Sequence, residues 1–271
     1  MIGQKVILDT VDYWVSTSAV PRFMIISGPK GGGKATLARE VCRRMKAYLV
    51  DCDLSVEAVR EAVKNCYKCS APTVYLFKDA DKMSIAAKNA MLKITEEPPR
   101  QAHFIVTVQN ADNMLDTLRS RATNITLSPY TDEELDRFYH DLTHKKGEII
   151  RQMSSVPGMM LELEKIDAAE LAEFCNVIVD NIHQVTGVNA FKIVQRIRLK
   201  EDGPGYDPEL FFHCMKYVLL DRIVHHSWSP EEHDKFARML KVTSKYHREF
   251  NLTGIKKDAT LDMWVLEMRE C

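Results

Sequence analysis

A glycine-rich loop between an apolar run and a helical segment constrains this 271-residue chain more than any other feature of its sequence. The loop reads Gly28-Pro29-Lys30-Gly31-Gly32-Gly33-Lys34, after the apolar residues 22–27 and before residues 36–46, which have helical character. Glycines let the backbone turn its N–H groups toward phosphate oxygens, and the following helix adds a favourable dipole. The sequence therefore predicts a phosphate loop after a strand, with Lys34 reaching the β and γ phosphates of a nucleotide.

The oxygen ligands with which such a loop holds Mg²⁺ are missing at two positions. Ala35 stands where a Ser or Thr hydroxyl ordinarily binds the metal, and Thr36 lies about 100° further round the helix. Lys78 follows the β-rich run 73–77, where an Asp ordinarily supplies the second ligand, and Asp79 takes the place of the water-activating acid. We therefore expect no tightly bound metal and no efficient ATP hydrolysis.

The residues left to contact a nucleotide are the loop itself and the start of its helix. They are Gly28, Gly31, Gly33, Lys34 and Thr36. Two alternatives stay open for this loop. It either holds ATP or ADP without turnover, or it binds no nucleotide. Two are also open for Lys78, whose ammonium group either contacts a phosphate or pairs with a neighbouring acid.

Apolar runs alternate with helical patterns as far as about residue 127, which is typical of an α/β domain with a mostly parallel sheet covered by helices on both faces. Beyond Pro129 the strand signals vanish, and Thr131 with Glu134 forms a capping box that opens a helix. We expect three domains: an α/β phosphate-loop domain at 1–128, a small helical domain at 129–166 and an all-α domain at 167–271.

Composition narrows the function classes. With 37 Lys and Arg against 38 Asp and Glu, the chain lacks the positive bias of an autonomous nucleic-acid-binding domain. Seven cysteines, no signal-peptide pattern and no membrane-length apolar run indicate a cytoplasmic protein with reduced thiols. Cys66-x-x-Cys69 has no second ligand pair nearby, so we expect no zinc there, and the adjacent His225 and His226 are typical of a solvated helix end.

A series of motifs in residues 2–127 resembles one family closely. In order these are Ile2-Gly3-Gln4, then Ala80-Asp81-Lys82-Met83, Ala87-Lys88-Asn89-Ala90-Met91-Leu92-Lys93, Glu96-Glu97-Pro98-Pro99 and Leu118-Arg119-Ser120-Arg121-Ala122. The series is similar to the bacterial clamp-loader members of the AAA+ superfamily, and most to their delta-prime type of subunit. The family's four-cysteine zinc insert is absent. No arginine occurs at residues 154–160, where motor subunits carry one.

The resemblance implies a subunit of the sliding-clamp loader of DNA polymerase III that is inactive as an ATPase by itself. Thr107 would be the sensor 1 residue, Asp79 a vestigial catalytic acid, and Arg121 an arginine finger that acts on the nucleotide of a neighbour. Arg119 is the nearby competitor for that last role. Residues 129–166 would be the family's small lid domain, and residues 167–271 the collar domain through which subunits assemble. The implied partners are the motor (tau/gamma) and delta subunits, with primer–template DNA reached through the complex and no membrane.

Two other functions remain open from the sequence. One is an active AAA+ ATPase of the motor type that recruits its metal through Asp79 and Asp81. The other is a replication adaptor of phage or mobile-element type.

Overall fold

The computed structural model describes residues 2–142, 149–197, 205–250 and 256–271. Its sheet has five strands: β1 (Phe23–Ser27), β2 (Tyr48–Cys52), β3 (Thr73–Phe77), β4 (Ala102–Val108) and β5 (Thr123–Thr126). All four strand pairings are parallel, and the order across the sheet is β2-β3-β4-β1-β5. The parallel sheet predicted from the sequence is therefore confirmed.

Both faces of this sheet are covered, as expected. Side chains alternate along each strand, so that Ile25 of β1 lies in one apolar cluster and Ile26 in the other. The first cluster packs against α3 (Val56–Cys66), α4 (Ile85–Glu96) and the short α5 (Asp116–Arg119). The second packs against α1 (Lys5–Ser16) and α2 (Lys34–Arg44). Burial of two apolar faces explains the near-continuous hydrophobic strands.

The chain divides into two compact units, Met1–Leu142 with Val156–Gly158, and Thr143–Ser155 with Met159–Cys271. The first unit holds the sheet and also α6 (Asp132–Leu142). The capping box that opens α6 is confirmed, because the Thr131 N–H donates to Glu134 Oε2 and the Glu134 N–H donates to Thr131 Oγ1. The three-domain division with breaks near 129 and 166 stays a prediction.

The described residues of the second unit are helical. After α7 (Ile149–Gln152) and α8 (Pro157–Leu163), which begins in the first unit, come α9 (Ala168–Asn181), α10 (Gly187–Ile197), α11 (Pro208–His225), α12 (Pro230–Phe250) and α13 (Lys257–Arg269). The helix α11 packs against both α9 and α12. Its Phe211 and Phe212 rings are buried edge-on against Trp264 of α13. None of the described helices is long and apolar enough to cross a membrane.

Some helices differ from what the sequence predicts. The pattern of residues 168–186 predicts one continuous helix, whereas α9 ends at Asn181 and a short 3₁₀ turn follows at Ile182–Gln184. The helices α1, α10 and α13 were not predicted. Val185 is extended, which suits a β-branched residue better than a helix interior does. The sequence Gly203-Pro204-Gly205 predicts a turn, and Gly203 and Pro204 lie outside the described residues.

Candidate nucleotide site

The candidate residues meet at the carboxyl edge of three adjacent strands. The phosphate loop follows β1, Thr107 lies near the end of β4, and Asp79 comes two residues after β3. Because the carboxyl ends of parallel strands share one edge of a sheet, these three segments face one crevice. The fold thereby gathers residues that the sequence placed far apart.

The loop has the backbone conformation that its glycines permit. Gly31 has φ +75° and Gly33 has φ +90°, a left-handed region that other residues enter only with strain. Lys34 begins α2, and its Nζ donates hydrogen bonds of 2.9 Å to the carbonyl oxygens of Gly28 and Pro29. The lysine is therefore buried against the loop itself.

The electrostatics of Lys34 reflect that burial. Burial lowers the pKa of the Lys34 ammonium group, and the nearby carboxylates of Asp79 and Asp81 act in the opposite direction. These two acids therefore lie within the electrostatic reach of the loop lysine. The interaction places the segment after β3 beside the phosphate loop, as a nucleotide site requires.

Two further contacts to the loop were not anticipated from the sequence. The Gly158 N–H at the start of α8 donates to the Gly31 carbonyl at 3.0 Å, and the Tyr130 hydroxyl donates to the Gly32 carbonyl at 3.0 Å. A Cβ atom on Gly158 would lie 2.4 Å from the Gly31 Cα, so this position admits no side chain. In the sequence, Pro157-Gly158 indicates the start of a helix. It does not indicate that this helix start contacts the phosphate loop.

At the two positions where Mg²⁺ ligands are expected, the structure places no side-chain oxygen. Ala35 lies in the first turn of α2, and the Thr36 side chain beside it is exposed. Lys78 Nζ lies 3.4 Å from Asp51 Oδ1 at the end of β2. Of the two alternatives for Lys78, the described structure contains the pairing with a neighbouring acid.

Asp79, Asp81 and Thr107 form the acidic side of the crevice. Asp79 is left-handed at φ +56°, and its N–H donates to Thr107 Oγ1 at 3.0 Å. Its Oδ2 accepts a 3.3 Å hydrogen bond from Lys82. Asp81 Oδ1 is buried and has no hydrogen-bond partner among the described residues. Thr107 is itself buried, so its hydroxyl fixes the chain after β3 rather than facing solvent.

Arg119 is the last residue of α5 and Arg121 follows it, and the two arginines differ in their partners. Arg121 donates to Glu96 Oε1 at 2.9 Å and to a backbone carbonyl at 2.6 Å, with 35% of its side chain exposed. Arg119 is held by two carboxylates, those of Asp112 and of Asp116. To bind another anion, Arg121 would therefore have to leave one carboxylate, whereas Arg119 would have to leave two.

The cysteine pair is arranged as two separate thiols. Cys66 is buried and donates to the Val63 carbonyl at 3.0 Å, and burial raises its pKa to about 11. Cys69 Sγ lies 3.3 Å from the Tyr75 hydroxyl. A thiol must lose its proton to bind zinc, and the raised pKa of Cys66 opposes that loss.

The described residues have the fold of AAA+ P-loop proteins, followed by an all-helical region. A gamma subunit-related protein of DNA polymerase III from Thermotoga maritima superposes with a TM-score of 0.55, covering 97% of this chain and 98% of that one at 16% identity. The RuvB Holliday junction branch migration motor of the same organism superposes at 0.52, covering 82% and 76% at 16% identity.

Sequence comparison finds similarity to subunits of DNA polymerase III and of replication factor C. Residues 50–131 match the family described as "DNA polymerase III, delta subunit". The DNA polymerase III subunit gamma of Buchnera aphidicola (subsp. Schizaphis graminum) is 25% identical over 178 residues, which are 54% of this chain and 49% of that protein. Replication factor C subunit 3 of Schizosaccharomyces pombe is 24% identical over 151 residues, covering 51% and 44%. The chain spans about half the length of these curated relatives.

Proposed function

We propose that this chain is a subunit of a sliding-clamp loader in DNA replication, of the delta-prime kind, which does not hydrolyse ATP by itself. It acts as a scaffold and supplies Arg121 to a nucleotide held by a neighbouring motor subunit. The AAA+ fold supports this, together with the match over residues 50–131 and the similarity to DNA polymerase III subunit gamma and to the sliding-clamp-loader large subunit of the phage RB69. The partners proposed are motor (tau/gamma) and delta subunits, with primer–template DNA engaged through the complex.

The observation that carries the loss of hydrolysis is the absence of an oxygen ligand at both metal positions. Ala35 offers a methyl group, and Lys78 offers an ammonium group already 3.4 Å from Asp51. Phosphoryl transfer depends on a metal that bridges the β and γ phosphates and neutralises their charge. A cation fixed beside the site repels that metal, so the two losses act in the same direction.

Arg121 is the better candidate for the finger because its present ion pair is replaceable. Arg121 and Glu96 have 35% and 55% of their side chains exposed. An exposed pair of this kind contributes about 0–1 kcal/mol, which a phosphate of higher charge can outcompete. Arg119 must leave both Asp112 and Asp116.

Turnover and titration on the purified chain test the first half of the proposal. We expect no magnesium-dependent ATP hydrolysis above the level of Lys34→Ala, which removes the loop lysine. The double variant Ala35→Thr with Lys78→Asp restores both oxygen ligands and should make nucleotide binding magnesium-dependent. Hydrolysis by the unaltered chain at a motor-like rate, abolished by Lys34→Ala, would refute the inactive assignment.

The second half is tested in the assembled loader. Arg121→Ala should leave assembly intact, as judged by mass measurement, and lower the ATPase rate of the complex by about 10³-fold or more, the scale of other trans arginines. Arg119→Ala is the matched control and should retain most of that rate. Equal rates for Arg121→Ala and the unaltered complex would exclude the finger role. Failure to assemble with motor and delta subunits would favour the adaptor instead.

One observation favours a second candidate, an active ATPase of the motor type. The buried Asp81 Oδ1 lacks a hydrogen-bond partner among the described residues and lies within the electrostatic reach of Lys34. Such a carboxylate oxygen could bind Mg²⁺ together with Asp79. If bound nucleotide carries Mg²⁺ and Asp81→Asn removes it, this candidate replaces the first.

A further inference from the structure

Two histidines and a glutamate meet where α11 packs against α12 in the helical unit. Glu209 and His213 are four residues apart on α11, which places them one above the other on the same face. His247 reaches them from α12. Glu209 Oε1 lies 3.2 Å from His247 Nε2 and 3.8 Å from His213 Nε2. One possible ligand atom from each residue lies within 4.8 Å of the other two.

These separations suit a single small metal ion. Zinc binds histidine nitrogen at about 2.0–2.1 Å and carboxylate oxygen at about 2.0–2.2 Å, usually with tetrahedral geometry. Two ligands of a tetrahedron with such bonds are about 3.4 Å apart. The two distances from Glu209 Oε1, 3.2 Å and 3.8 Å, lie on either side of that value. All three donor atoms lie within 4.8 Å of one another, so side-chain rotations can bring them around one ion.

The surroundings hold the ligands in place and keep them accessible. Side-chain exposure is 10% for His247, 15% for Glu209 and 27% for His213, so the cluster is shielded but open on one side. The Phe212 ring stacks on His247 with centroids 5.3 Å apart, and the two imidazoles meet edge to face at 4.7 Å.

We propose that Glu209, His213 and His247 bind one zinc ion that links α11 to α12. Two imidazole nitrogens and one carboxylate oxygen form a donor set of the kind zinc prefers. The site involves neither the phosphate loop nor the cysteines, so the zinc proposal does not depend on whether the phosphate loop binds or hydrolyses a nucleotide. The sequence did not indicate this histidine pair, because His213 and His247 lie far apart along the chain, unlike the adjacent His225 and His226.

Metal titration of the full chain, stripped with chelator and kept reduced, is the test. We expect one equivalent of Zn²⁺ to bind, and unfolding temperature to rise by about 5–10 °C when free zinc exceeds the dissociation constant a hundredfold. Co²⁺ as a spectroscopic substitute should give visible d–d bands without a thiolate charge-transfer band. Failure of the unaltered chain to bind zinc, or a thiolate band in its cobalt spectrum, overturns the proposal without recourse to variants.

Variants then assign the ligands. Glu209→Gln and His213→Gln preserve side-chain length, and each should weaken zinc binding by more than about 100-fold, beyond the cost of losing an outer partner. His233→Gln, on an exposed position of α12, and Cys69→Ser are the matched controls and should bind zinc as the unaltered chain does. Unchanged affinity in Glu209→Gln and His213→Gln, or loss of the metal in Cys69→Ser, would place the ion elsewhere.

Discussion

Gly158 lies so close to the phosphate loop that a single methyl group should disturb the contact. In Gly158→Ala the new Cβ would lie 2.4 Å from the Gly31 Cα and 2.7 Å from its carbonyl oxygen. Ordinary contacts begin near 3.4 Å, so Gly158 and the loop must move apart by about 1 Å. That movement also breaks the 3.0 Å hydrogen bond from the Gly158 N–H to the Gly31 carbonyl.

The expected cost follows from these terms. Overpacking of this kind costs about 1–3 kcal/mol, and the lost hydrogen bond about 1 kcal/mol if the contact opens instead. Replacing glycine by alanine stabilises the folded state by about 0.4–1 kcal/mol, because it lowers the conformational entropy of the unfolded chain. The free energy of unfolding should therefore fall by about 1–2 kcal/mol, which lowers the unfolding temperature by about 2–8 °C.

Gly187 provides a matched control, because it also begins a helix and a Cβ there would meet nothing within 4 Å. Gly187→Ala should leave the unfolding temperature unchanged or raise it slightly. Differential scanning calorimetry of the three proteins in one buffer compares them directly. If Gly158→Ala proves as stable as Gly187→Ala, the contact between α8 and the phosphate loop does not exist as described.

Thr107→Val should lower the free energy of unfolding by about 1–2 kcal/mol in a urea titration, because the N–H of Asp79 loses its acceptor while side-chain shape is kept. An unchanged midpoint would contradict that role. The side-chain hydrogen bonds from Arg43 and Arg44 lower the pKa of Glu40 to about 2. Glu40→Gln should therefore cost about 1 kcal/mol at pH 7, and the difference should disappear as pH falls from about 5 to 2. A difference independent of pH would exclude the ion pairs as its cause.

The elements that could be predicted from sequence are those with local signals. The phosphate loop was identifiable because strand, glycines and helix follow one another directly. The sequence Asp207-Pro208 likewise predicts the start of α11, where the Asp207 side chain caps the helix. The missed helices lack such signals. Gln4 precedes α1 in a left-handed conformation without a side-chain cap, and α10 begins at a glycine.

The arrangement of the site depended on tertiary pairing, which one sequence does not encode locally. The identity of Ala35 and Lys78 indicated the missing metal ligands, yet only the register of β2 against β3 brings Asp51 to Lys78. In the same way the meeting of Arg121 with Glu96 joins two motifs that the sequence shows only as separate segments. The sequence therefore predicts which chemical groups the site contains, but not which residues pair with them.

Lys34 links these observations to nucleotide binding. An incoming phosphate must compete with the Gly28 and Pro29 carbonyls for the Lys34 ammonium group, and hydrogen bonds to charged groups contribute about 1.5–3 kcal/mol. Without Mg²⁺ ligands, the triphosphate gains no bridge between its β and γ phosphates. The loop N–H groups and one lysine then remain as the binding groups, and they contact ADP almost as well as ATP. We therefore expect any nucleotide that binds to do so weakly, with similar affinity for ADP and ATP and little dependence on magnesium.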